Sequence, residues 1–424
     1  MKLYNLDYLL QYARQHSPYY RELCKNLPEK PVTVEQMPVI RQVEFWEANT
    51  SGADNRVLTE PFKDGIAFKS GGTTSAPKFS VFSKDEYATF CELTGQAMMY
   101  NGVKAGDRFA NLFYGGQMYA SFLYVHSWIQ ACPISLIEYP VMGSTPLPDI
   151  IHIIEQHRTN VLAGVPTTIV SICQYAQEHH IDLSFVERIY FGGETFFPDQ
   201  RQFVQSVCRG VSIRSSCYSL VDGGIVGFCD DSCNFNEHRA FDYAVVLEII
   251  DEETGEVIHE TGREGNLVVT SLYRTLQPMI RYPLGDRGVW TEPQGTSNRK
   301  FKLLGRAEEG ARIGPISLYY EDIRGIFVPV EGVDILNYQL VITHTEGKDK
   351  LTVRVATDNA AGAQEHAADY LAALYEERPM ILSEAKIGHI HIPELVFGDT
   401  TILDSNPRTG KTKRIIDERI GSKE

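Results

Sequence analysis

The chain has 424 residues, 43% of them hydrophobic, enough to bury a sizeable core divided over two or three domains. Its 40 Lys and Arg stand against 55 Asp and Glu, and the resulting net charge of −15 disfavours nucleic acid and anionic membranes as partners. Eight cysteines are scattered without a dense framework, which favours a reducing, cytoplasmic location.

The predicted elements begin with an amphipathic helix within residues 1–20, whose apolar positions are interrupted by polar ones. This pattern is not that of a signal peptide. The most apolar later stretch, 121–140, contains His126 and Pro133 and is too broken for a membrane span. From about residue 64, β-rich runs precede Gly or Pro and a helical pattern, and we place them at 108–114, 159–164 and 188–191. This alternation predicts parallel α/β layers.

The second half of the chain changes in texture. Strand patterns at 243–251 and 265–271 indicate a more β-rich section. Beyond residue 306 we predict a helix at 361–375 and strands at 339–343, 351–355, 389–391 and 395–397. The predicted fold is therefore α/β, with a large multi-layer N-terminal domain (1–306) of parallel sheets and a β-rich section. A small, mobile α+β domain (307–424) follows.

A loop rich in glycine and hydroxyl groups occupies residues 70–78, which read SGGTTSAPK. Glycines let a backbone approach phosphate closely, and neighbouring amides and hydroxyls can donate to its oxygens. Lys78 adds a positive charge, but it follows Pro77, so the segment is not a Walker loop. By itself such a segment is more often a flexible polar surface loop.

This loop resembles the phosphate loop of the adenylate-forming superfamily, which comprises acyl-CoA ligases, luciferases and peptide-synthetase adenylation domains. Ser75 replaces a usual glycine. Other motifs follow in the family's order: GVKAGDR at 102–108, VPT at 165–167, FGGE at 191–194, CYSLVD at 217–222, PMIRYPLGD at 278–286, GRAEE at 305–309 and NPRTGK at 406–411. HSPYY at 16–20 is similar to a signature of the phenylacetate-CoA ligase-like branch. The resemblance covers the chain from about residue 14 to its end.

The resemblance implies an ATP site. The residues it assigns to the nucleotide are Ser70, Gly71, Gly72, Thr73, Thr74, Lys78, Gly193, Glu194, Tyr218, Ser219, Asp286 and Arg306. Asp286 would accept from the ribose hydroxyls, and Tyr218 would stack on adenine. Asp222 stands where the family has a Mg²⁺-associated glutamate, and a shorter carboxylate can still bind a hard cation. Without the resemblance, Asp286 could equally be a turn residue, Tyr218 a core residue and Asp222 a helix-capping residue.

Lys411 is the residue we predict to be catalytic. The resemblance implies that a lysine of the mobile domain enters to neutralise the meeting of carboxylate and phosphate, and then leaves. The alternative is a solvated basic segment, because Arg408, Lys413 and Arg414 lie close by in sequence. The loop is one residue shorter than the family's.

The acid pocket is predicted from aromatic residues interleaved with glycines, which suit a flat ring. Its candidate residues are Phe113, Tyr114, Gly115, Gly116, Gln117 and Gly192. For Phe113 alone, core packing is an equally good explanation.

Two further features leave alternatives open. Cys229, Cys233 and His238 follow a C-x3-C-x4-H spacing, with Cys217 as a fourth option, but a structural zinc needs four well-placed ligands. Pro315 stands where the family's loop approaches CoA, and proline lacks an N–H.

We therefore predict an AMP-forming carboxylate ligase of the acid–thiol type. It would use ATP and Mg²⁺ to convert a small, preferably aromatic, carboxylic acid to acyl-AMP, with CoA as the default acceptor. One alternative is transfer to another acceptor or a partner enzyme, as in the adenylating enzymes of phenazine-antibiotic biosynthesis, which are short members of this branch. Another is a non-catalytic binding protein on the same fold. A homodimer is one option for the assembly.

Overall fold

The alternation of strands and helices predicted for the first half of the chain is present in the structure. This computed structural model describes residues 1–28, 33–52, 54–69, 78–116, 118–193, 195–252, 254–306, 310–323, 325–327, 330, 332–404 and 412–420. The described residues divide into two compact units, unit 1 up to Leu303 and unit 2 from Leu304.

The α-helices in the described residues are α1 (Leu6–His16), α2 (Pro18–Leu23), α3 (Gln42–Ala48), α4 (Lys84–Tyr100), α5 (Ser121–Ala131), α6 (Leu147–His157), α7 (Pro166–Glu178), α8 (Pro198–Val207), α9 (Ala360–Glu365), α10 (Ala367–Glu377) and α11 (Pro379–Lys386). Proline occupies the first turn of α2, α6, α7, α8 and α11, where its missing N–H removes no helical bond. Ser83 and Glu86 form a capping box at the start of α4.

The strands are β1 (Ile66–Lys69), β2 (Phe79–Phe82), β3 (Arg108–Asn111), β4 (Ile137–Pro140), β5 (Val161–Gly164), β6 (Arg188–Phe191), β7 (Ser212–Ser215), β8 (Tyr218–Leu220), β9 (Gly224–Phe228), β10 (Glu237–Ala240), β11 (Val245–Ile250), β12 (Glu264–Ser271), β13 (Tyr282–Trp290), β14 (Lys300–Arg306), β15 (Gly310–Ile313), β16 (Ile316–Tyr319), β17 (Ile335–Thr345), β18 (Lys348–Thr357), β19 (Glu394–Gly398) and β20 (Ile415–Asp417).

A five-stranded parallel sheet lies in unit 1, in the order β4-β3-β5-β6-β7. Every residue of β5 and β6 is buried, as expected for parallel strands with both faces covered. Apolar residues of α6, α7 and α8 form one core with this sheet. The carboxyl ends of β3, β5 and β6 lie side by side, where open α/β sheets bind ligands.

A seven-stranded antiparallel sheet has the order β11-β12-β13-β14-β10-β9-β8. It is the β-rich section that the sequence predicts. Its strands β8 and β13 carry Tyr218 and Asp286, so the two residues belong to one sheet although they are far apart in sequence. A separate hairpin, β1–β2, pairs Lys69 with Phe79 at the end from which residues 70–78 connect the two strands.

Unit 2 contains a four-stranded sheet in the order β19-β18-β17-β20 and a two-stranded hairpin, β15–β16. The central pair β17–β18 is antiparallel, and the two outer pairs are parallel. Side chains of β17 and β18 share an apolar core with α10 and with the β15–β16 hairpin.

Several predicted boundaries change in the structure. The strand predicted at 108–114 ends at Asn111, and the helix predicted at 361–375 is divided at His366. The strand predicted at 389–391 is wrong, because only Ile390 makes an isolated bridge, to Asp349. None of the described helices is long and apolar enough to span a bilayer.

The predicted α/β class, with a parallel sheet and a β-rich section, is confirmed. The domain ranges 1–306 and 307–424, and the mobility of the second, stay predictions.

Candidate active site

The acid-pocket candidates lie beyond the carboxyl ends of β3 and β6. Phe113 is buried, and Gly192 directly follows β6. A methyl group placed on Gly192 would lie 3.6 Å from Phe113 Cζ and 3.3 Å from Ser216 Oγ. The structure therefore brings Phe113 and Gly192 together, and a side chain in place of Gly192 would be tight against Ser216 Oγ and in contact with the phenyl ring.

The next acid-pocket candidates directly follow Phe113 in the sequence. The Tyr114 hydroxyl shares a hydrogen bond of 3.0 Å with Thr168 Oγ1 at the start of α7. Gly115 lies close to Phe122, whereas Gly116 has a φ of 97° and open space where a side chain would be. Gln117 lies outside the described residues.

Two polar residues that sequence reasoning missed, Asn111 and Glu138, support the backbone at Phe113. The buried Asn111 accepts a hydrogen bond of 3.3 Å from the Phe113 N–H and donates one of 2.8 Å to Glu138 Oε1. Glu138 Oε2 in turn contacts His126 Nδ1 at 2.7 Å. A polar residue at the end of a buried strand is the signal that could have found Asn111.

Tyr218 and Asp286, both assigned to the nucleotide, contact one another in the structure. The Tyr218 hydroxyl donates a hydrogen bond of 2.6 Å to Asp286 Oδ2. The Tyr218 ring is buried next to the imidazole of His238, with ring centroids 5.7 Å apart. Ser219, one residue on, accepts from the Cys217 thiol at 3.5 Å. The hydrogen bond from Tyr218 thus orients the Asp286 carboxylate through a neutral hydroxyl.

His238 is a buried, neutral neighbour of Tyr218. Burial lowers its pKa to about 4, because the imidazolium would lose its hydration, and the backbone at Asn236 and the charge of Glu237 only partly oppose this. Its Nε2 contacts Ser215 Oγ at 2.9 Å.

The cysteines near His238 have other partners than a metal. Cys229 Sγ donates to the carbonyl oxygen of Glu237 at 3.4 Å, and Cys233 Sγ contacts Asp230 Oδ1 at 3.6 Å. Within the described ranges, no group of three or more His, Cys, Asp or Glu side chains is arranged to hold a metal ion. The structure therefore gives no support to the zinc alternative.

Asp222 is a carboxylate held by uncharged groups. Its Oδ2 accepts a hydrogen bond of 2.6 Å from the Tyr282 hydroxyl, and its Oδ1 accepts one of 3.1 Å from the Gly223 N–H. The Tyr282 hydroxyl also accepts a hydrogen bond of 3.0 Å from Trp46 Nε1. No ion pair with another described residue involves Asp222, which is 9% exposed. A carboxylate has about four lone-pair sites, so a single-carboxylate Mg²⁺ contact fits this donor set.

Lys78 is the described cation of the phosphate-loop segment, at the start of β2. Its ammonium donates a hydrogen bond of 2.9 Å to Gln42 Oε1, and Gln42 Nε2 donates one of 2.6 Å to the Pro283 carbonyl oxygen. Lys78 Nζ also lies 5.7 Å from the centre of the Trp46 ring. The described residues provide no carboxylate partner for Lys78, so its positive charge is not neutralised within the part of the chain that the structure describes.

The Gly314–Pro315 segment in unit 2 is the two-residue turn of the β15–β16 hairpin. Gly314 has a φ of 52°, and its N–H donates a hydrogen bond of 2.8 Å to Asp349 Oδ2. Because Pro315 has no N–H, neither turn residue offers an unbonded amide donor.

The remaining predicted residues are described in part or not at all. Gly193 follows Gly192 with a φ of 82°, and Arg306 ends β14, although its side chain lies outside the described set. Outside the described residues lie Ser70, Gly71, Gly72, Thr73, Thr74, Glu194 and Lys411. Their assignments stay predictions.

Comparison with known proteins gives relatives over nearly the whole chain. Phenylacetate-coenzyme A ligases of Thermus thermophilus and Aromatoleum evansii are 22% and 21% identical to it. The first match covers 82% of this chain and 79% of the relative, and the second covers 99% and 94%. An indoleacetate–lysine synthetase of Pseudomonas savastanoi is 29% identical over 131 residues, which is 30% of this chain and 29% of the relative.

A solved structure shows the same fold. The structure of 2-hydroxyisobutyryl-CoA ligase in complex with 2-HIB-AMP and CoA matches with a TM-score of 0.71 at 19% identity, covering 97% of this chain and 88% of the ligase. No family model matches the sequence. The resemblance that the motifs predict is confirmed: over nearly its whole length the chain is similar to phenylacetate-CoA ligases, and the predicted enzyme class, an AMP-forming carboxylate ligase, is confirmed with it.

Proposed function

We propose that this enzyme activates a small carboxylic acid, with aromatic acids favoured, as its acyl-AMP and then transfers the acyl group to CoA. In the first step a carboxylate oxygen attacks the α-phosphorus of ATP, and the bond to pyrophosphate breaks. In the second step the CoA thiolate attacks the acyl carbon, and AMP departs. Curated relatives of this chain are phenylacetate-coenzyme A ligases.

The observation that carries the proposal is that Lys78 and Asp222 in unit 1 are both hydrogen-bonded by uncharged side chains. Each charge is oriented by an uncharged partner, at 2.9 Å and 2.6 Å, and neither is neutralised by another described residue. Joining two anions requires fixed positive charge near the phosphates, and a preorganised cation provides it without further rearrangement. Lys78 would contact phosphate together with Ser70, Gly71, Gly72, Thr73 and Thr74.

The adenosine part would lie along the β8 side. Asp286 would accept from the ribose hydroxyls, with Tyr218 fixing the orientation of its carboxylate. Gly193, Glu194 and Ser219 would border the base, and Arg306 would contact ribose or phosphate. Interactions of this kind hold ground state and transition state alike, so they act mainly on ATP affinity.

The acid would lie against Phe113, near Gly192. The buried aromatic ring, packed close to a residue without a side chain, offers a flat apolar surface and supports an aromatic substrate. Tyr114, Gly115, Gly116 and Gln117 would complete this wall.

Two remaining parts of the proposal concern charge. Asp222 would hold Mg²⁺, which when bound neutralises phosphate charge in the transition state. Lys411, in a mobile domain of residues 307–424, would neutralise the encounter of carboxylate and α-phosphate during adenylation.

The test is a pyrophosphate-release screen over aryl and aliphatic acids, with and without CoA. Release that depends on an aryl acid, with CoA consumed in equal amount to the AMP formed, supports the whole proposal. No acid-dependent release with any acid would overturn it and would leave a non-catalytic binding role.

A second candidate differs only in the acceptor. The Gly314–Pro315 turn has no unbonded N–H, since the Gly314 amide is used by Asp349. Such a turn offers less to a thioester arm than a glycine with a free amide would. Part of the chain is also similar to an indoleacetate–lysine synthetase. Acyl-AMP that accumulates in the presence of CoA, and is consumed by an amine or a partner enzyme, would support this candidate.

The location is proposed to be cytoplasmic. All eight cysteines are free thiols, and Cys173 and Cys208 keep their sulfur atoms 3.9 Å apart without a bond between them. This supports a reducing compartment.

A further inference from the structure

Two side chains of helix α3, one turn apart, lead to different charged residues of the candidate site, one by direct contact and one through a tyrosine. Gln42 and Trp46 are spaced i and i+4, so both project from the same face of the helix. Gln42 contacts Lys78 and the Pro283 carbonyl, and Trp46 contacts Tyr282, the partner of Asp222. One short helix thus connects a cation and an anion that lie 144 positions apart in sequence.

Gln42 fixes the Lys78 ammonium without neutralising it. The amide group is held at both ends, because its Nε2 donates to the Pro283 carbonyl oxygen at 2.6 Å while its Oε1 accepts from Lys78 at 2.9 Å. A carboxylate at this place would form an ion pair and reduce the attraction of the ammonium for a phosphate oxygen. A neutral acceptor restricts the lysine and leaves its full charge for a ligand.

Trp46 fixes the direction of the Tyr282 hydroxyl. The indole N–H can only donate, so the tyrosine oxygen must accept at that contact and its proton points to Asp222 Oδ2. The hydroxyl is fully buried and cannot exchange this partner for water. The Asp222 carboxylate therefore has a fixed orientation and keeps its negative charge for a cation.

We propose that Gln42 and Trp46 are positioning residues of the MgATP site, Gln42 acting through Lys78 and Trp46 acting through Tyr282 and Asp222. The inference rests on the proposed function for the identity of the ligand. It adds that α3, which carries none of the family's sequence motifs, acts on the site through two polar groups: the Gln42 amide towards Lys78 and the Trp46 N–H towards Asp222, while the Trp46 ring also lies 5.7 Å from Lys78 Nζ.

The first test compares Gln42→Met with Gln42→Glu by calorimetric titration of MgATP and by the KM for ATP in pyrophosphate release. Both variants lose the donor to Pro283, but only the glutamate places a negative charge beside Lys78. We expect Gln42→Met to weaken MgATP binding about fivefold, the size of one ordinary hydrogen bond, and Gln42→Glu to weaken it more. A Gln42→Glu variant that binds as well as Gln42→Met or better would overturn the role of Gln42.

A double-mutant cycle guards against a general loss of structure. In a Lys78→Gln background the additional loss caused by Gln42→Glu should disappear, because the cation it neutralises is gone. If the loss stays the same size without Lys78, the glutamate acts on the fold and the proposal fails.

The second test is Trp46→Phe, which keeps an aromatic ring and removes the N–H that orients Tyr282. We expect the Mg²⁺ concentration needed for half-maximal ATP binding to rise severalfold, and this concentration to stay the same in Gln42→Met. Glu44→Gln, an exposed change on the same helix, is the matched control and should alter neither titration. Equal shifts of the Mg²⁺ requirement in Trp46→Phe and Gln42→Met would overturn the separate roles.

The two levels of inference fail differently. If the wild-type protein binds MgATP but releases no pyrophosphate with any acid, the proposed function fails while the binding titrations still decide the roles of Gln42 and Trp46. If pyrophosphate is released and the variants bind MgATP like the wild type, only the present inference fails.

Discussion

Lys78 and Asp222 in unit 1 have a different kind of partner from Asp349 in unit 2. In unit 1, Lys78 is held by an amide and Asp222 by a tyrosine hydroxyl and a backbone N–H. In unit 2, the buried Asp349 is held by the Arg419 guanidinium, by the His344 imidazole and by the N–H of Gly314. Its Oδ2 contacts Arg419 Nη1 at 2.5 Å, and its Oδ1 contacts His344 Nδ1 at 2.8 Å.

The unit 2 network joins separate parts of its small domain. Arg419 follows β20 and also pairs with Asp417, while Gly314 belongs to the β15–β16 turn and His344 to β17. Asp349 thus ties a turn, a hairpin end and the C-terminal segment to one carboxylate. Its negative charge is balanced by partners inside the protein.

The difference separates structural charges from charges that await a ligand. A buried ion pair whose partners satisfy one another contributes to a unique arrangement of the chain, and removing one partner leaves the other uncompensated. A charge oriented by a neutral group keeps its electrostatic attraction for an incoming ion. On this basis we propose that Lys78 and Asp222 serve ligand binding and that Asp349 serves folding.

The largest effect we expect is on stability, from Asp349→Asn. The substitution keeps the shape but leaves Arg419 with less countercharge in a buried place, so the free energy of unfolding should fall by about 3–5 kcal/mol. Chemical denaturation followed by tryptophan fluorescence and circular dichroism measures it. Asp417→Asn, which removes only the other partner of Arg419, should cost less. Equal stability of Asp349→Asn and the wild type would mean that the network is not structural.

Lys411→Ala tests a unit 2 charge for which function is predicted. We expect the rate of acyl-AMP formation to fall about 10²–10³-fold, the usual effect of losing one transition-state contact, while MgATP binding persists. Single-turnover pyrophosphate release and calorimetry measure the two quantities. Adenylation near the wild-type rate would remove Lys411 from the catalytic role.

Acidification should affect the two units in sequence. The pKa of His238 is about 4 in the folded protein against an ordinary 6.5. As the pH falls, His238 therefore takes up a proton in the unfolded chain before it does so in the folded protein. The stability associated with neutral His238 is therefore complete above pH 6.5 and is lost as the pH falls towards 4, by an amount of the order of 3 kcal/mol.

Asp349 should respond at lower pH. Burial by itself raises its pKa, but the hydrogen bond from His344, the charge of Arg419 and the Gly314 N–H together leave it below the ordinary 3.8. Its contribution is thus lost only below that value. Hydrogen exchange read by mass spectrometry should show β9–β10 losing protection before β17–β18 as the pH is lowered. The reverse order would contradict both assignments.

Asp286→Ala should have a smaller, purely binding effect. The residue is predicted to hold ribose in ground and transition states alike, so the KM for ATP should rise about tenfold for every acid substrate with little change in kcat. Tyr218→Phe, which removes only the hydrogen bond that orients Asp286, is the milder companion. An unchanged KM for ATP in Asp286→Ala would exclude the residue from the site.

The smallest effect should come from Glu44→Gln. Its partner Arg41 has a side chain that is 79% exposed, and such surface pairs contribute about 0–1 kcal/mol. Thermal unfolding should be nearly unchanged, and MgATP affinity should equal that of the wild type. A clear loss would show that α3 is sensitive to any change, and the Gln42 variants would then be judged by the double-mutant cycle alone.

Some candidate site residues could be named from the sequence because they lie in short motifs. Tyr218 and Asp286 lie in motifs whose resemblance was sufficient to name them, and the structure places them 2.6 Å apart. The supporting residues Gln42, Trp46 and Asn111 have no such motif. A single sequence gives no indication that Trp46 reaches Tyr282, 236 positions away.

What the sequence determined by itself is the alternation of elements, the class of fold and the order of the family motifs, because hydrophobic period and turn residues act over short distances. Only the tertiary structure decided which charges are neutralised and which are merely oriented. Asp222 and Asp349 are both buried aspartates, and although only Asp222 lies in a family motif, the neighbouring residues of neither reveal whether its partners carry a charge. Their partners come from distant strands and helices, and a carboxylate's role depends on whether those partners bring a countercharge or only a hydrogen-bond donor.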